Sequence, residues 1–171
     1  MVRTDEITRR TFVVGILAGV AGCLGNDDDD EPERRERRGP EIDNRELSSA
    51  FPLILEDADT GDRVADVHYH DGDGTHWHAQ PITVPLGDAR VFMIRILDED
   101  EEDIPLGDEY TVEYVPPEEN ESIVEVSIDG HEFAVHGLEE GRTRPRLRLE
   151  GPTGDEWVTP QVLVDVEPAN E

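Results

Sequence analysis

Residues 124–135 read VEVSIDGHEFAV, and the alternation of their side chains decides the fold class. Every second residue is apolar on both sides of the dipeptide Asp129-Gly130. A period of two is typical of a strand with one buried face, whereas an amphipathic helix repeats every 3.6 residues. Because Asp-Gly between two such runs favours a tight turn, we predict an antiparallel hairpin made of strands 123–128 and 131–136.

The chain from residue 51 onward repeats this pattern of short apolar runs separated by turn residues. No segment in it sustains helical periodicity, and regularly spaced short strands favour an antiparallel sandwich. Its length is enough for one hydrophobic core. We therefore predict an all-β fold, an antiparallel β-sandwich forming one domain over residues 51–168, with strands at 52–56, 63–70, 76–84, 90–97, 110–115, 123–128, 131–136, 142–149 and 157–166.

Residues 81–166 also resemble bacterial immunoglobulin-like domains in the order of their strands and turns. The phrase VHGLEEG at residues 135–141 carries much of this resemblance, because those domains use V-x-G-x-x-x-G to close one strand and open the next. The resemblance implies an immunoglobulin-like sandwich, a fold that commonly serves as a spacer or adhesion module without enzymatic activity. The sequence contains no G-x-S-x-G motif and no Gly-rich phosphate loop, and we predict that the protein is not an enzyme.

The N-terminal residues predict export and attachment to a membrane. The chain is uncharged from Thr11 to Leu24, which is too short for a transmembrane helix of roughly 20 residues. Residues 8–13, TRRTFV, resemble a twin-arginine export signal, with Arg9 and Arg10 as its arginine pair. Residues 20–23, VAGC, resemble a lipobox, which implies that residues 1–22 are removed and that Cys23, the only cysteine of the chain, receives a lipid anchor.

The charge balance sets the compartment and excludes one class of partner. The chain has 43 acidic residues and 15 basic residues, all of them Arg, for a formal net charge of −28. At molar salt the repulsion between so many acidic side chains is strongly screened. The composition resembles that of haloarchaeal proteins. Phosphate binding needs a basic face, so nucleic acid is excluded as a partner. We predict a lipoprotein on the extracellular face of the cytoplasmic membrane.

Residues 23–50 are predicted to be a disordered tether between the lipid and the domain. They contain an acidic block, DDDD at 27–30, a mostly basic block, RRERR at 34–38, and few apolar side chains. Such a segment cannot bury enough apolar surface to offset the entropy of ordering.

The chemical lead lies in residues 68–78, HYHDGDGTHWH, which contain four of the six histidines. If strands 63–70 and 76–82 are joined by a turn at 71–75, His70 pairs with His76 and His68 with His78. Because residues i and i+2 share a face of a strand, all four imidazoles then project from one side. Asp66 lies on that side as well, as a further ligand or as a partner of a ligand.

This arrangement predicts a transition-metal site, with Zn or Cu as the metals that imidazole suits. Two alternatives stay open: a structural or pH-dependent histidine cluster, and surface histidines without a role. Residues 68–73, HYHDGD, also resemble a short segment of copper/zinc superoxide dismutase, although the bridging-histidine spacing and the disulfide of that family are missing. The leading hypothesis is a metal-binding module for storage, delivery or sensing, and the alternative is an immunoglobulin-like spacer or envelope interaction module without metal.

Four arginines alternate along the predicted strand 142–149, which places Arg142, Arg144, Arg146 and Arg148 on one strand face. The simpler interpretation is a solvated face paired with acidic neighbours, and the other is an anion-binding stripe.

Overall fold

The computed structural model describes residues 38–70, 74–79, 81–117 and 123–169. The predicted signal, with Arg9 and Arg10, and the predicted lipid anchor at Cys23 lie outside these residues. Within them the chain forms fourteen β-strands and no helix. The strands are β1 (Glu41–Ile42), β2 (Arg45–Glu46), β3 (Leu53–Asp57), β4 (Arg63–His70), β5 (Gly74–Ala79), β6 (Ile82–Pro85), β7 (Ala89–Ile96), β8 (Thr111–Val115), β9 (Val124–Asp129), β10 (Glu132–Gly137), β11 (Gly141–Thr143), β12 (Arg146–Glu150), β13 (Glu156–Val158) and β14 (Val164–Glu167).

The strands form an all-β sandwich, as the alternation predicts. A six-stranded sheet has the order β5-β4-β3-β7-β10-β9, and two three-stranded sheets have the orders β11-β14-β6 and β13-β12-β8. Every pairing is antiparallel except that of β14 with β6, which is parallel. Among the described residues, no helix has the length and apolar character needed to cross a membrane.

One hydrophobic core lies between the six-stranded sheet and the two smaller sheets. Phe92 and Phe133 are cross-strand partners at its centre, fully buried, with ring centroids 5.9 Å apart. The inner face of the six-stranded sheet also contributes Leu53, Leu55, Ala65, Val67, Ile94, Ile96 and Val135, and the facing sheets contribute Ile82, Val84, Val112, Leu147, Leu149, Val164 and Val166. The alternation read from the sequence thus places these side chains inward, and the opposite face of the large sheet points outward.

Three of the predicted strands are each two strands in the structure, and proline stands at each break. Pro81 separates β5 from β6, Pro145 separates β11 from β12, and Pro160 lies between β13 and β14. Proline has no N–H to donate to a ladder, so the chain leaves one sheet there and continues in another. Arg142 therefore lies on β11, Arg146 and Arg148 lie on β12 in another sheet, and Arg144 lies between the two strands. The prediction of one strand face for all four arginines is wrong.

The arginines that have partners are paired with acidic side chains. Arg142 contacts Asp165 at 2.8 Å, and Arg148 contacts both Glu113 and Glu156. These pairs agree with the simpler interpretation of a solvated, ion-paired surface.

The predicted boundary between tether and domain at residue 50 is wrong, because the fold already includes residues 39–50. Ile42 and Leu47 are 1% and 0% exposed and belong to the core. Leu47 donates its backbone N–H to the Pro40 carbonyl at 2.7 Å, and Ser48 donates to Leu97 at 2.8 Å. Ile42 and Leu47 are enough to order this segment, because they pack against the core of the domain and the segment needs no core of its own.

The hairpin that decides the fold class forms one residue later than predicted. Asp129 pairs with Glu132, so the two-residue loop is Gly130-His131. Gly130 has a φ of +58° at the first loop position, where type II′ turns take glycine. The phrase at 135–141 ends β10 at Gly137 and begins β11 at Gly141, as the immunoglobulin-like resemblance predicts.

Candidate metal site

The candidate site lies on the outer face of the β4–β5 hairpin, at one edge of the six-stranded sheet. In the ladder, His68 pairs with His76, Asp66 with His78, and His70 with Gly74. The predicted register, His68 with His78 and His70 with His76, is therefore wrong by two residues. The reason is that β5 begins at Gly74, two residues before the predicted start at His76. Since the shift is even, His68, His76 and His78 still share a face.

The inner face of the same hairpin fixes it to the core. Val67 is fully buried and pairs with Trp77. Trp77 packs against the core cluster and donates its indole N–H to the Pro160 carbonyl at 2.7 Å. This bond links edge strand β5 to the segment between β13 and β14, and it holds in place the strand that carries two of the histidines.

Three imidazoles meet on the outer face. The ring centroid of His68 lies 4.5 Å from that of His76 and 4.0 Å from that of His78, and the His76–His78 distance is 5.7 Å. One ring nitrogen from each residue can be chosen so that all three lie within 4.8 Å of one another. His68 is 9% exposed, His76 is half-buried and His78 is exposed. The triad is thus closed at His68 and open at His78.

Asp66 contacts the triad from the side of its most buried member. Its Oδ2 lies 3.3 Å from Nδ1 of His68, and its Oδ1 accepts a hydrogen bond from Nε of Arg63 at 2.9 Å. A carboxylate on one ring nitrogen orients the other toward a metal and raises its basicity. The structure thus places Asp66 in contact with His68, the residue it was predicted to share a face with.

A β-bulge brings Arg63 to this face. Leu55 pairs with Ala65, but Glu56 pairs with Arg63, so Val64 is the extra residue in β4. In a regular strand, Arg63 and Asp66 would point to opposite faces, whereas a bulge re-aims one side chain. Arg63 is for this reason absent from the predicted site residues, since no simple sequence signal marks the bulge.

Phe51 covers the buried end of the triad. Its ring packs edge-on against His68, with centroids 6.0 Å apart, and the Arg63 guanidinium stacks over it at 4.0 Å. Ser48 Oγ accepts hydrogen bonds from the backbone of Ala50 and Phe51 at 3.1 and 3.0 Å, which fixes this turn. The last residues of the predicted tether, Ser48 to Ala50, therefore position Phe51 against His68.

Chemically, the triad offers three nitrogen donors. His68 and His76 are cross-strand partners, and His78 lies two residues after His76 on the same face of β5. Zn–N bonds of about 2.0–2.1 Å in a tetrahedral site place ligand nitrogens roughly 3.4 Å apart. Small rotations of the exposed His78 and half-buried His76 would close the present spacing to that value. The side chain of His70, the fourth predicted ligand, lies outside the described part of the structure, and its backbone pairs with Gly74.

The other two histidines lie away from this group. His131 places Nδ1 3.3 Å from the Ile94 carbonyl. His136 lies 4.0 Å from Glu125 across β10 and β9 and lines an open groove of about 360 Å³ together with Asp88 and Ser127. Neither joins a group of three metal-ligating side chains among the described residues.

No protein-family model matches the chain, and no curated protein sequence matches it. Among solved structures, domains 4 and 5 of the S-layer protein SbsC are similar over 74% of this chain and 97% of their own length, with 13% identity and a TM-score of 0.37. Domains 4–9 of the surface layer protein SbsC are similar over 78% of this chain and 25% of their own length, with 14% identity and a TM-score of 0.34. The functional argument that follows rests on the residues of the site and not on this similarity.

Proposed function

We propose that this chain is an exported, lipid-anchored, non-enzymatic β-sandwich that binds a divalent transition-metal ion through His68, His76 and His78, in storage, delivery or sensing. The observation that carries the proposal is the convergence of three imidazole nitrogens within 4.8 Å on one sheet face. Imidazole is a common ligand of Zn and Cu, and these are the metals we propose.

The Asp66 contact supports a ligand role for the triad over a chance cluster. A carboxylate hydrogen-bonded to Nδ1 leaves Nε2 as the metal-facing atom of His68, which is the usual arrangement in histidine metal sites. Arg63 holds Asp66 in turn, so the orientation of the ring is set by two successive polar contacts. A packing role alone would not need this arrangement.

The export and anchor belong to the proposal on sequence grounds. Arg9 and Arg10 would direct export, and lipid on Cys23 would hold the domain at the outer face of the membrane. His70 remains the proposed fourth histidine of the cluster. Haloarchaeal origin is proposed from the acidic composition and the absence of Lys.

Equilibrium dialysis against Zn²⁺ and Cu²⁺ at high salt tests the metal proposal. The full-length chain would carry Cys23→Ser, so that its only thiol cannot bind the ion. We expect one ion per chain, lost when His68, His76 and His78 are all changed to Ala and kept when His131 and His136 are changed together. Absence of binding, or equal binding by the triple variant, would reject the proposal and leave the spacer or envelope interaction module.

A further inference from the structure

We infer that the groove beside His136 is a second binding site, which takes a cation carried on a short alkyl chain, the group that an arginine side chain presents. The groove and the histidine triad lie on the same outer face of the six-stranded sheet. The triad is on β4 and β5 at one edge, whereas the groove is on β9 and β10 at the other. The inference therefore goes beyond the proposed metal function and does not depend on it.

Small side chains form the floor of the groove. Ala134 on β10 pairs with Ser127 on β9, and Ala89 on β7 pairs with His136 on β10. Because these small residues fill little space between their larger neighbours, a cavity of about 360 Å³ stays open above the sheet. This volume is near the lower end of the range for small-ligand pockets, about 300–1,000 Å³. It suits a single side chain, whose alkyl part would contact the two alanine methyl groups.

The β6–β7 turn forms one wall of the groove and holds Asp88 in place. Gly87 has a φ of +77° and donates its backbone N–H to the Gly137 carbonyl at 2.8 Å. Gly137 donates in return to the Asp88 carbonyl at 3.0 Å. The Asp88 carboxylate accepts a hydrogen bond from the backbone N–H of Ala89 at 2.9 Å. The wall thus presents a carboxylate that is already oriented before any ligand binds.

The charges of the lining select a cation. Among the described residues that line the groove, the carboxylates are those of Asp88 and Glu125, and there is no arginine. Elsewhere on this face Glu56 is paired with Arg95 at 3.1 Å. Neither carboxylate of the groove has an arginine partner within the described part of the chain, and Glu125 lies 4.0 Å from His136. A bound cation would supply to the groove the charge that Arg95 supplies to Glu56.

A guanidinium group fits this lining better than a metal ion does. Asp88, Glu125 and His136 do not bring their ligand atoms together around one point, since the triad is the one such group among the described residues. A guanidinium has five N–H donors in a rigid plane and can donate to acceptors that lie apart. Its source is either an arginine of another protein or a free small molecule, and the two present the same chemistry.

An NMR titration of the isotope-labelled full-length chain tests the inference, with N-acetyl-arginine amide as the probe. We expect saturable shift changes at Ser127, Ala134 and His136, with one probe per chain. N-acetyl-citrulline amide has a similar shape and no charge, and it should cause none of these changes. Ala134→Leu leaves every charge in place but fills the floor of the groove, and it should abolish binding of the arginine probe.

Two double variants separate the groove from the general acidity of the surface. Asp88→Asn with Glu125→Gln should bind the probe about tenfold more weakly, because two partly exposed ion pairs are lost. Asp129→Asn with Glu132→Gln is the matched control. It removes two exposed carboxylates from the outer face of the same two strands, outside the groove, and should bind the probe as the parent does.

Butylguanidinium and the peptide acetyl-Gly-Arg-Gly-amide distinguish the two sources of the cation. Binding of the peptide at least as tight as that of butylguanidinium assigns the groove to an arginine of a partner protein. Binding of butylguanidinium alone assigns it to a small molecule. Equal shifts with the citrulline probe, or equal weakening in both double variants, would overturn the inference, because the acidic surface would then attract cations without a site. Neither result would bear on the metal proposal.

Discussion

His68 and His76 face each other directly across the β4–β5 ladder, with ring centroids 4.5 Å apart. Directly opposed side chains are the closest pairs that an antiparallel sheet offers. His78, two residues along β5, completes the triangle, because it is paired with Asp66 and its centroid lies 4.0 Å from that of His68. The site is thus built from ladder geometry and needs no long loop to assemble it.

Removing the carboxylate behind His68 should weaken metal binding without removing a ligand. Asp66→Ala deletes the contact to Nδ1, and loss of such a partner costs roughly 10–100-fold in metal affinity. Asp66→Asn keeps a hydrogen-bond acceptor and should give a smaller loss. Competition with a chromophoric chelator measures both variants.

Glu125→Ala provides the control for Asp66, because Glu125 lies 4.0 Å from His136 in a histidine–carboxylate pair outside the triad. It should bind the ion as the parent does. Equal affinity in Asp66→Ala and Glu125→Ala would contradict an orienting role for Asp66. Urea unfolding of each variant shows whether a change in affinity follows a change in stability.

The face of the site could be predicted from sequence, whereas its register and its cover could not. His68, His76 and His78 share a face because alternation along a strand is fixed by the pleat, and an even shift preserves it. The register depends on where β5 begins, and β5 begins at Gly74, two residues before the predicted start at His76. Arg63 joins the site through a bulge at Val64, which depends on pairing with β3.

The strands were predictable for a similar reason. The points at which the chain leaves one sheet and continues in another were not. Alternation located the inward side chains of β7, β9 and β10, including Phe92 and Phe133. The predicted strands run through Pro81, Pro145 and Pro160, although proline cannot donate to a ladder. Which sheet each half then joins is set by packing across the core, which no local pattern encodes.

The bond between Trp77 and Pro160 should stabilise both the edge strand and the site. Trp77→Phe keeps an aromatic ring against the core but removes the donor of the 2.7 Å hydrogen bond. A net loss of about 1 kcal/mol in the free energy of unfolding is expected for one such bond, together with weaker metal binding because β5 loosens. Urea denaturation and metal titration measure the two effects.

Trp157→Phe is the matched comparison for Trp77→Phe. Trp157 also packs at the margin of the core, but its indole N–H makes no hydrogen bond to any described residue. The substitution Trp157→Phe should therefore change the metal affinity little. If both variants lower metal affinity equally, the effect comes from general loosening of the core and not from the anchor of β5.

Gly137 is required where β10 ends because two other strands approach its backbone. A Cβ there would lie 2.8 Å from the Pro85 carbonyl oxygen and 2.8 Å from Cγ1 of Val166. Gly137→Ala should therefore destabilise the fold by about 1–3 kcal/mol, as overpacking does. Ser127→Ala on the exposed side of β9 is the control, and a Gly137→Ala variant as stable as this control would refute the close approach. Thermal unfolding at fixed salt makes the comparison.

Acid should weaken the fold through the Arg45–Asp98 pair. Asp98 accepts hydrogen bonds from Arg45 at 2.6 Å and from the backbone of Asp100 and Glu102, and the Arg45 hydrogen bond in particular holds the pKa of the Asp98 carboxyl below its ordinary value. Because the unfolded chain binds the proton more tightly, this stabilisation is full above the ordinary Asp pKa of about 3.9 and is lost as pH falls through the lower folded value. Asp57, whose pKa is lowered by Arg90, should act in the same direction.

Asp98→Asn separates this pair from the general effect of acid. At pH 6 the variant should unfold at lower urea than the parent, since the charged partner of Arg45 is gone. As the pH falls below about 3.9 and through the lower folded pKa of Asp98, the two midpoints should converge, because the parent loses the same charge by protonation. Glu139→Gln removes an exposed carboxylate that is outside every ion pair of the described residues, and it should track the parent over the whole pH range. A gap between Asp98→Asn and the parent that stays constant with pH would mean that the carboxylate acts through shape and not through its charge.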